Sequence, residues 1–282
     1  MSNTVPTQPA APVCVGMISL GCAKNLVDAE LMLGSLIAEG IEITNEPAQA
    51  DVLIVNTCSF IDSAQEESVD TILESSELRA VHRPEQALIV SGCLPQRFRR
   101  ELSKLMPEVD AFMGVDQIAD VVRIVREAME HRAVRSPPSA RTQTKKQPKV
   151  APISEINPRP KYVPDAQAPR FRLTPPHFAY VKIADGCNHP CSFCIIPRMR
   201  GSHRSRQQAD IVAEAKELIA QGVKELNLIS QDSTYYGMDL DPDHRRGNSS
   251  PSKFAGVNSG LSPDASTLCS LLRELNQIPG DF

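Results

Sequence analysis

Three cysteines, Cys187, Cys191 and Cys194, form a C-x3-C-x2-C run with Asn188, His189, Pro190, Ser192 and Phe193 between them. Thiolates are ligands for iron–sulfur clusters and for zinc. Three thiolates this close can hold three irons of a cubane cluster and leave the fourth iron open to an exogenous ligand. A fully coordinated electron carrier would instead use four cysteines. Zinc remains the alternative, but structural zinc sites take four ligands, commonly as two pairs, and only His189, cramped inside the loop, could supply a fourth. The spacing favours the cluster, and His189 reads as a solvated loop residue.

Cys22, Cys58 and Cys93 make a second set. Each follows a strand-like run (16–20, 52–56 and 87–91), and they are separated by 36 and 35 residues, each interval about one strand–helix crossover. In a parallel sheet all three fall at the carboxyl edge, where open α/β sheets place their ligand sites. The plainer reading is three small buried cysteines. Three at equivalent positions, two of them directly after Gly21 and Gly92, favour a ligand set. Cys14, inside the first strand, and Cys269, inside the last helix, read as core residues.

The elements that must position these thiols can be read from periodicity. Residues 13–20, 51–56 and 86–91 are short apolar runs suited to buried parallel strands. Leu26, Ala29, Leu33, Leu36 and Ile37 have helical spacing, with Asn25 as a candidate N-cap and Gly40 placed to end the helix. Asp62 and Pro95 stand where further helices should start. Asp116 can cap a last helix, whose apolar face is Ile118, Val121, Val122, Val125, Ala128 and Met129. Strands alternating with helices predict a parallel sheet covered on both faces. Residues 133–176 are rich in Pro, Lys, Arg, Ser and Gln without apolar periodicity, the composition of a linker. A second α/β unit follows: a strand over 178–184, a helix marked by Ile211, Ala215, Leu218 and Ile219 and closed by Gly222, and a strand over 225–230. Residues 241–263 then read as a polar loop or insertion. Leu268, Leu271, Leu272 and Leu275 mark one more amphipathic helix. The predicted organisation is a disordered leader (1–12), an N-terminal α/β domain (13–132), a linker (133–176) and a second α/β domain (177–282). Two strands leave exposed edges and cannot complete a sheet or barrel, so the second domain reads as incomplete.

Composition narrows the class. The chain has 282 residues, about two domains' worth, with 41% hydrophobic and 23% charged residues. A net charge of −4 carries no polyanion-binding signal, so nucleic acid is not suggested as a direct partner. No apolar run reaches the roughly 18 residues of a membrane helix. The Pro/Ala/Thr-rich N-terminus has no basic residue ahead of an apolar stretch, unlike a secretory signal. Eight cysteines without such a signal are expected in a reducing cytoplasm as ligands or catalytic groups rather than disulfides.

The C-x3-C-x-aromatic-C run, with Phe193 in the aromatic position, resembles the cluster motif of radical S-adenosylmethionine (SAM) enzymes. That resemblance implies a partial or full (β/α) barrel. It also implies a 4Fe-4S cluster whose open iron binds SAM, a reductively generated 5′-deoxyadenosyl radical, and Phe193 beside the adenine. A three-cysteine α/β domain placed before it is similar to the methylthiotransferases. Residues 20–28 (Leu-Gly-Cys-Ala-Lys-Asn-Leu-Val-Asp), 178–183, 194–197 and 228–234 resemble the RimO branch, which modifies an aspartate of a small-subunit ribosomal protein. The tRNA-modifying branch typically carries other residues after the first cysteine and Gly-Gln-Asn near 230. The resemblance implies two 4Fe-4S clusters, one on Cys22, Cys58 and Cys93 and one on Cys187, Cys191 and Cys194. It further implies SAM used both as methyl donor and as radical source, an external reductant and a sulfur donor. Members of the family continue through the rest of the barrel into a β-rich TRAM domain, which is expected to be absent here, and the chain alone is then expected to lack SAM-gripping residues. Gln231, at the end of the second strand, is assigned to SAM. Arg198, Arg200, His203, Arg204 and Arg206 either contact SAM or an acidic target, or form a solvated charged loop. A tRNA-adenosine methylthiotransferase and a non-catalytic iron–sulfur protein are the remaining alternatives.

Overall fold

The structure is a computed structural model that describes residues 12–135, 151–240 and 266–282. All but the last residue of the expected leader, residues 136–150 of the expected linker and the 241–263 loop lie outside the described residues.

The first unit is a six-stranded parallel sheet in the order β2-β1-β3-β4-β5-β6. Its strands are β1 (Cys14–Ser19), β2 (Glu42–Thr44), β3 (Val52–Thr57), β4 (Ala87–Gly92), β5 (Ala111–Phe112) and β6 (Ile153–Ser154). The strand period of two sorts the core into two layers. Val52, Ile54 and Ile89 point to one face, where they meet Val27, Leu31 and Leu36 of α1 (Ala23–Ala38) and Val121, Val125 and Ala128 of α5 (Val121–Arg135). Leu53, Val55, Leu88 and Val90 point to the other, against Ile72 of α2 (Asp62–His82), Leu94 of α3 (Cys93–Arg97) and Leu102 of α4 (Leu102–Leu105). The α/β reading with helices on both faces therefore holds.

Two assigned caps are corrected. Asn25 lies inside α1 rather than before it, and Cys22 is the N-cap. The Asn25 amide donates to the carbonyls of Leu20 (3.2 Å) and Thr57 (2.8 Å), so it ties the ends of β1 and β3 together. Asp116 does not cap α5, which a 3-10 turn over Ile118–Asp120 precedes. Its carboxylate accepts from Asn157 Nδ2 at 2.9 Å and from the backbone N–H groups of Lys161 and Tyr162. The thiol of Cys269 is exposed, not in the core, and that of Cys14 is only half-buried.

The described part of the proline-rich stretch, 151–176, is not a free tether. Ile153–Ser154 extends the sheet beside β5, Asp116 pins 161–162, and Phe171 N–H donates to Glu30 O at 3.0 Å. Prolines remove donors, and acceptors on the first unit satisfy many of those that remain. Composition reports what a segment cannot bury by itself, not what a neighbouring surface offers it.

The second unit has a parallel pair, β7 (Phe178–Lys182) and β10 (Glu225–Ile229), and a short antiparallel pair, β8 (Ala184–Asp185) and β9 (Arg204–Ser205). Around them lie α6 (Ile196–Met199), α7 (Gln208–Ala220) and α8 (Leu268–Leu275). Ala179 and Val181 pack on Ile211, Ala215 and Leu218 of α7 and on Leu271 and Leu275 of α8. Tyr180 and Ile229 pack toward the core of the first unit, and a seam between the units results. Among the described residues no helix is long and apolar enough to cross a membrane.

Candidate iron–sulfur and cofactor site

Cys22, Cys58 and Cys93 follow β1, β3 and β4, three adjacent strands, at their carboxyl ends. Glycines with positive φ, Gly21 and Gly92, turn the chain ahead of Cys22 and Cys93. Gly21 has φ +93°, and a Cβ there would lie 2.7 Å from Cys58 Cβ and 3.2 Å from Cys58 Sγ, so only glycine lets the Cys22 turn pass this close to Cys58. Ser68 of α2 accepts from Cys58 N–H at 3.1 Å and donates to Cys58 O at 2.9 Å. The thiols of Cys22 and Cys93 approach Asn25 Oδ1 at 4.0 and 3.7 Å. The three cysteines thus share one edge of the sheet, with Cys22 exposed and the other two buried. Cys14, at the start of β1, is not with them. Burial pushes the Cys93 thiol up to about 11, against the pull of the Arg200 guanidinium.

Cys187, Cys191 and Cys194 lie in the loop after β8, beside an open cleft of about 590 Å³ also bordered by Arg97, Phe193 and Arg198. Gly186, at φ +78°, turns the chain into this loop, and Cys187 N–H donates to Gly201 O at 3.1 Å. Burial raises the Cys187 thiol above its ordinary value, while the His189 N–H, donating to its Sγ at 3.5 Å, opposes that. His189 is more than a solvated loop residue. Its Nε2 lies 2.7 Å from Asp232 Oδ2, and Thr234 Oγ1 donates to the other oxygen of that carboxylate at 2.6 Å. Phe193 is 88% exposed on the cleft rim. The Gln231 amide donates to Asp185 Oδ1 at 3.2 Å, and its own Oε1 is buried without a partner among the described residues.

The donor chemistry of both sets fits iron–sulfur ligation. Each offers three thiols and, among the described residues, no fourth cysteine. Gln231, whose amide meets Asp185 two residues ahead of Cys187, keeps a buried orphaned oxygen that fits a polar cofactor edge.

Between the two sets runs a buried charge network that the sequence did not announce. Lys182 pairs with Asp28, and with Asp185 at 3.4 Å. Lys24 donates to Ala184 O at 2.5 Å and sits 4.0 Å from Asp185. Arg200 reaches across with Nη1 on Asp185 at 3.1 Å and Nη2 on Asn25 Oδ1 at 2.7 Å, Asp28 at 3.0 Å and Cys93 Sγ at 3.6 Å. Burial would raise the Asp185 carboxyl, but Arg200, Lys182 and Lys24 outweigh it and hold the group well below the usual carboxylate range. Burial lowers Lys24 to about 7 despite Asp185. Of the five basic residues after the cysteine loop, Arg200, His203 and Arg206 are buried in hydrogen bonds and ion pairs, so for these the solvated-loop alternative is wrong; Arg198 is exposed. The available clue was charge at core positions: Lys24, Asp28 and Glu30 interrupt an otherwise apolar helix, and Lys182 an apolar strand.

Comparison with known proteins matches residues 14–114 to the uncharacterized protein family UPF0004 and residues 181–272 to the radical SAM superfamily. The ribosomal protein uS12 methylthiotransferase RimO of Akkermansia muciniphila is 49% identical over 273 residues, which is 96% of this chain and 55% of that protein. The protein of the same name from Opitutus terrae is 50% identical over 271 residues, covering 95% and 53% respectively. The chain therefore spans about half the length of the curated relatives it matches. A solved radical SAM methyltransferase, TsrM from Kitasatospora setae, aligns with TM-score 0.49 and 14% identity over 83% of this chain and 52% of that one.

Proposed function

We propose, on its likeness along nearly its whole length to RimO methylthiotransferases and on its radical SAM match, that the chain belongs to the RimO-type methylthiotransferases and serves to add a methylthio group to the β-carbon of an aspartate in a small-subunit ribosomal protein. The observation that carries this reading is the pair of three-thiol sets on two sides of one buried seam. Cys22, Cys58 and Cys93 hold an auxiliary 4Fe-4S cluster, and Cys187, Cys191 and Cys194 hold the cluster that binds SAM. When bound, these groups supply reductive cleavage of SAM, abstraction of a hydrogen from an unactivated C–H bond, and a sulfur site to be methylated and transferred.

The chain's own residues place and insulate these sites. Gly21 and Gly186 shape the two turns. His189, anchored by Asp232, ties the second loop to the end of β10. Asp185, kept ionised by its cationic neighbours, receives the Gly186 N–H at 2.9 Å and the Gln231 amide, fixing the backbone that enters the loop. Phe193 and Gln231 are the residues proposed to flank SAM. An external reductant and a sulfur donor complete the reaction, in the cytoplasm.

Anaerobic reconstitution with iron and sulfide quantification tests the reading. About eight irons per chain, and about four in a Cys187→Ala/Cys191→Ala/Cys194→Ala variant, are expected for two 4Fe-4S clusters. About four in the unaltered chain and none in the variant would return Cys22, Cys58 and Cys93 to the status of core residues and overturn the family-specific part of the proposal.

A further inference from the structure

Arg200 comes from the second unit, yet it is 3% exposed and touches a thiol of the first. Its Nη2 donates to Cys93 Sγ at 3.6 Å while sharing Asn25 and Asp28 of α1, and its Nη1 is held by Asp185 at 3.1 Å, next to the Gly186-Cys187 turn. Among the described residues it is the one guanidinium with a hydrogen bond to a cysteine sulfur. We propose that Arg200 is a positioning residue that raises the reduction potential of the cluster on Cys22, Cys58 and Cys93, and so makes that potential depend on the docking of the second unit. This rests on the reading that those three cysteines hold a cluster.

The physical reason is charge. Reduction adds one negative charge to a cluster, and cluster potentials follow net charge, hydrogen bonds to the ligating sulfurs and solvent exposure. A guanidinium N–H on a ligand sulfur stabilises the reduced form more than the oxidised form. It does so strongly here because Arg200 and Cys93 are both buried, and a low local dielectric enlarges every charge interaction. Arg200 cannot move away: four oxygen and sulfur partners fix its fork, and Gly201, the next residue, fixes Cys187 N–H. Asp28 and Asp185 together balance the charges of Lys182 and Arg200, so the effect rests on the directed contact: the N–H that Nη2 gives to Cys93 Sγ strengthens as negative charge accumulates on that sulfur. A single side chain thus senses both cysteine sets.

The test uses the full chain with Cys187, Cys191 and Cys194 replaced by alanine, so that only the first set can carry iron. Redox titration followed by electron paramagnetic resonance gives the midpoint in this parent, in Arg200→Gln and in Arg200→Lys. The glutamine variant is expected to keep about four irons per chain and to show a midpoint shifted to more negative potential. The lysine variant, which keeps the charge, is expected to lie closer to the parent. An unshifted midpoint in an iron-replete glutamine variant overturns the inference and leaves the cluster assignment standing. An iron-free parent overturns both. Should the glutamine variant lose its iron, the parent itself decides: grown with guanidino-15N arginine, its reduced cluster is expected to show a weakly coupled nitrogen by pulsed resonance, and absence of that coupling overturns the inference.

Discussion

At the residue scale, burial sets proton positions that ligand binding must reverse. The Cys93 thiol, pushed up to about 11, is protonated at neutral pH in the metal-free chain, whereas the metal ligand is the thiolate. Iron uptake by the first set should therefore rise as pH is raised from 7 to 9, measured as iron per chain in the Cys187→Ala/Cys191→Ala/Cys194→Ala background. A flat profile would show that Cys93 is not a ligand or not buried as described. Lys24 carries the opposite kind of shift. Its folded value of about 7 lies below its ordinary 10.5, so between those values the unfolded chain binds more protons and unfolding free energy rises with pH. The penalty is full below pH 7 and is relieved across the window from about 7 to about 10. Lys24→Met should flatten that slope, as read from urea midpoints at a series of pH values. That the six cysteines fall at three strand ends and in one loop was legible from their spacing and from the strand pattern before them. Asn25, Asp28, Lys182, Asp185 and Arg200 were not, because each acquires its role from a partner more than a hundred residues away or from a turn that no local pattern encodes.

At the scale of elements, short apolar runs and helical periodicity located β1, β3, β4, β7 and β10 and the helices α1, α5, α7 and α8, while α2 was marked only by its start at Asp62; Gly40 and Gly222, at φ +74° and +90°, end α1 and α7 as read from the sequence. The strands that escaped, β2, β5, β6, β8 and β9, are two or three residues long and cannot display a period. They exist because a neighbouring strand offers its edge. The turn at Gly186 is the element on which the second cysteine set depends. A Cβ there would stand 2.1 Å from Ser202 O and 2.6 Å from Gly201 O at a φ of +78°, so Gly186→Ala must displace the 200–202 backbone or swing the loop. Its expected effect is selective. Reconstituted Gly186→Ala should hold about four irons, those of the first set, in place of about eight. Retention of the full complement would show that the loop tolerates the displacement.

At the scale of the whole molecule, the two units are joined by side chains rather than by the chain path alone. Glu30, fully buried in α1, accepts the Arg170 guanidinium at 2.5 and 2.9 Å and the Leu173 N–H at 2.7 Å. Arg170 passes on to Glu214 of α7 and to Tyr180 O of β7 at 2.8 Å, and Glu214 in turn holds Arg206. Both units and the proline-rich stretch between them therefore share one ion network, and its weak point is predictable. Removing one partner of a buried pair leaves the other charge uncompensated, which costs about 3–5 kcal/mol, whereas the intact pair contributes far less to stability than that figure suggests. Arg170→Ala leaves Glu30 buried without its cation. The variant should lose stability on that scale, expose 151–176 to proteolysis, and unfold in urea with the second unit melting before the first. Glu30→Gln keeps an acceptor for Leu173 N–H and removes the stranded charge, so combining it with Arg170→Ala should recover part of the loss. A single unfolding transition with an unchanged midpoint in Arg170→Ala would mean that the units are held by the apolar packing of Tyr180 and Ile229 against the first core, with the ion network contributing orientation but no net cohesion.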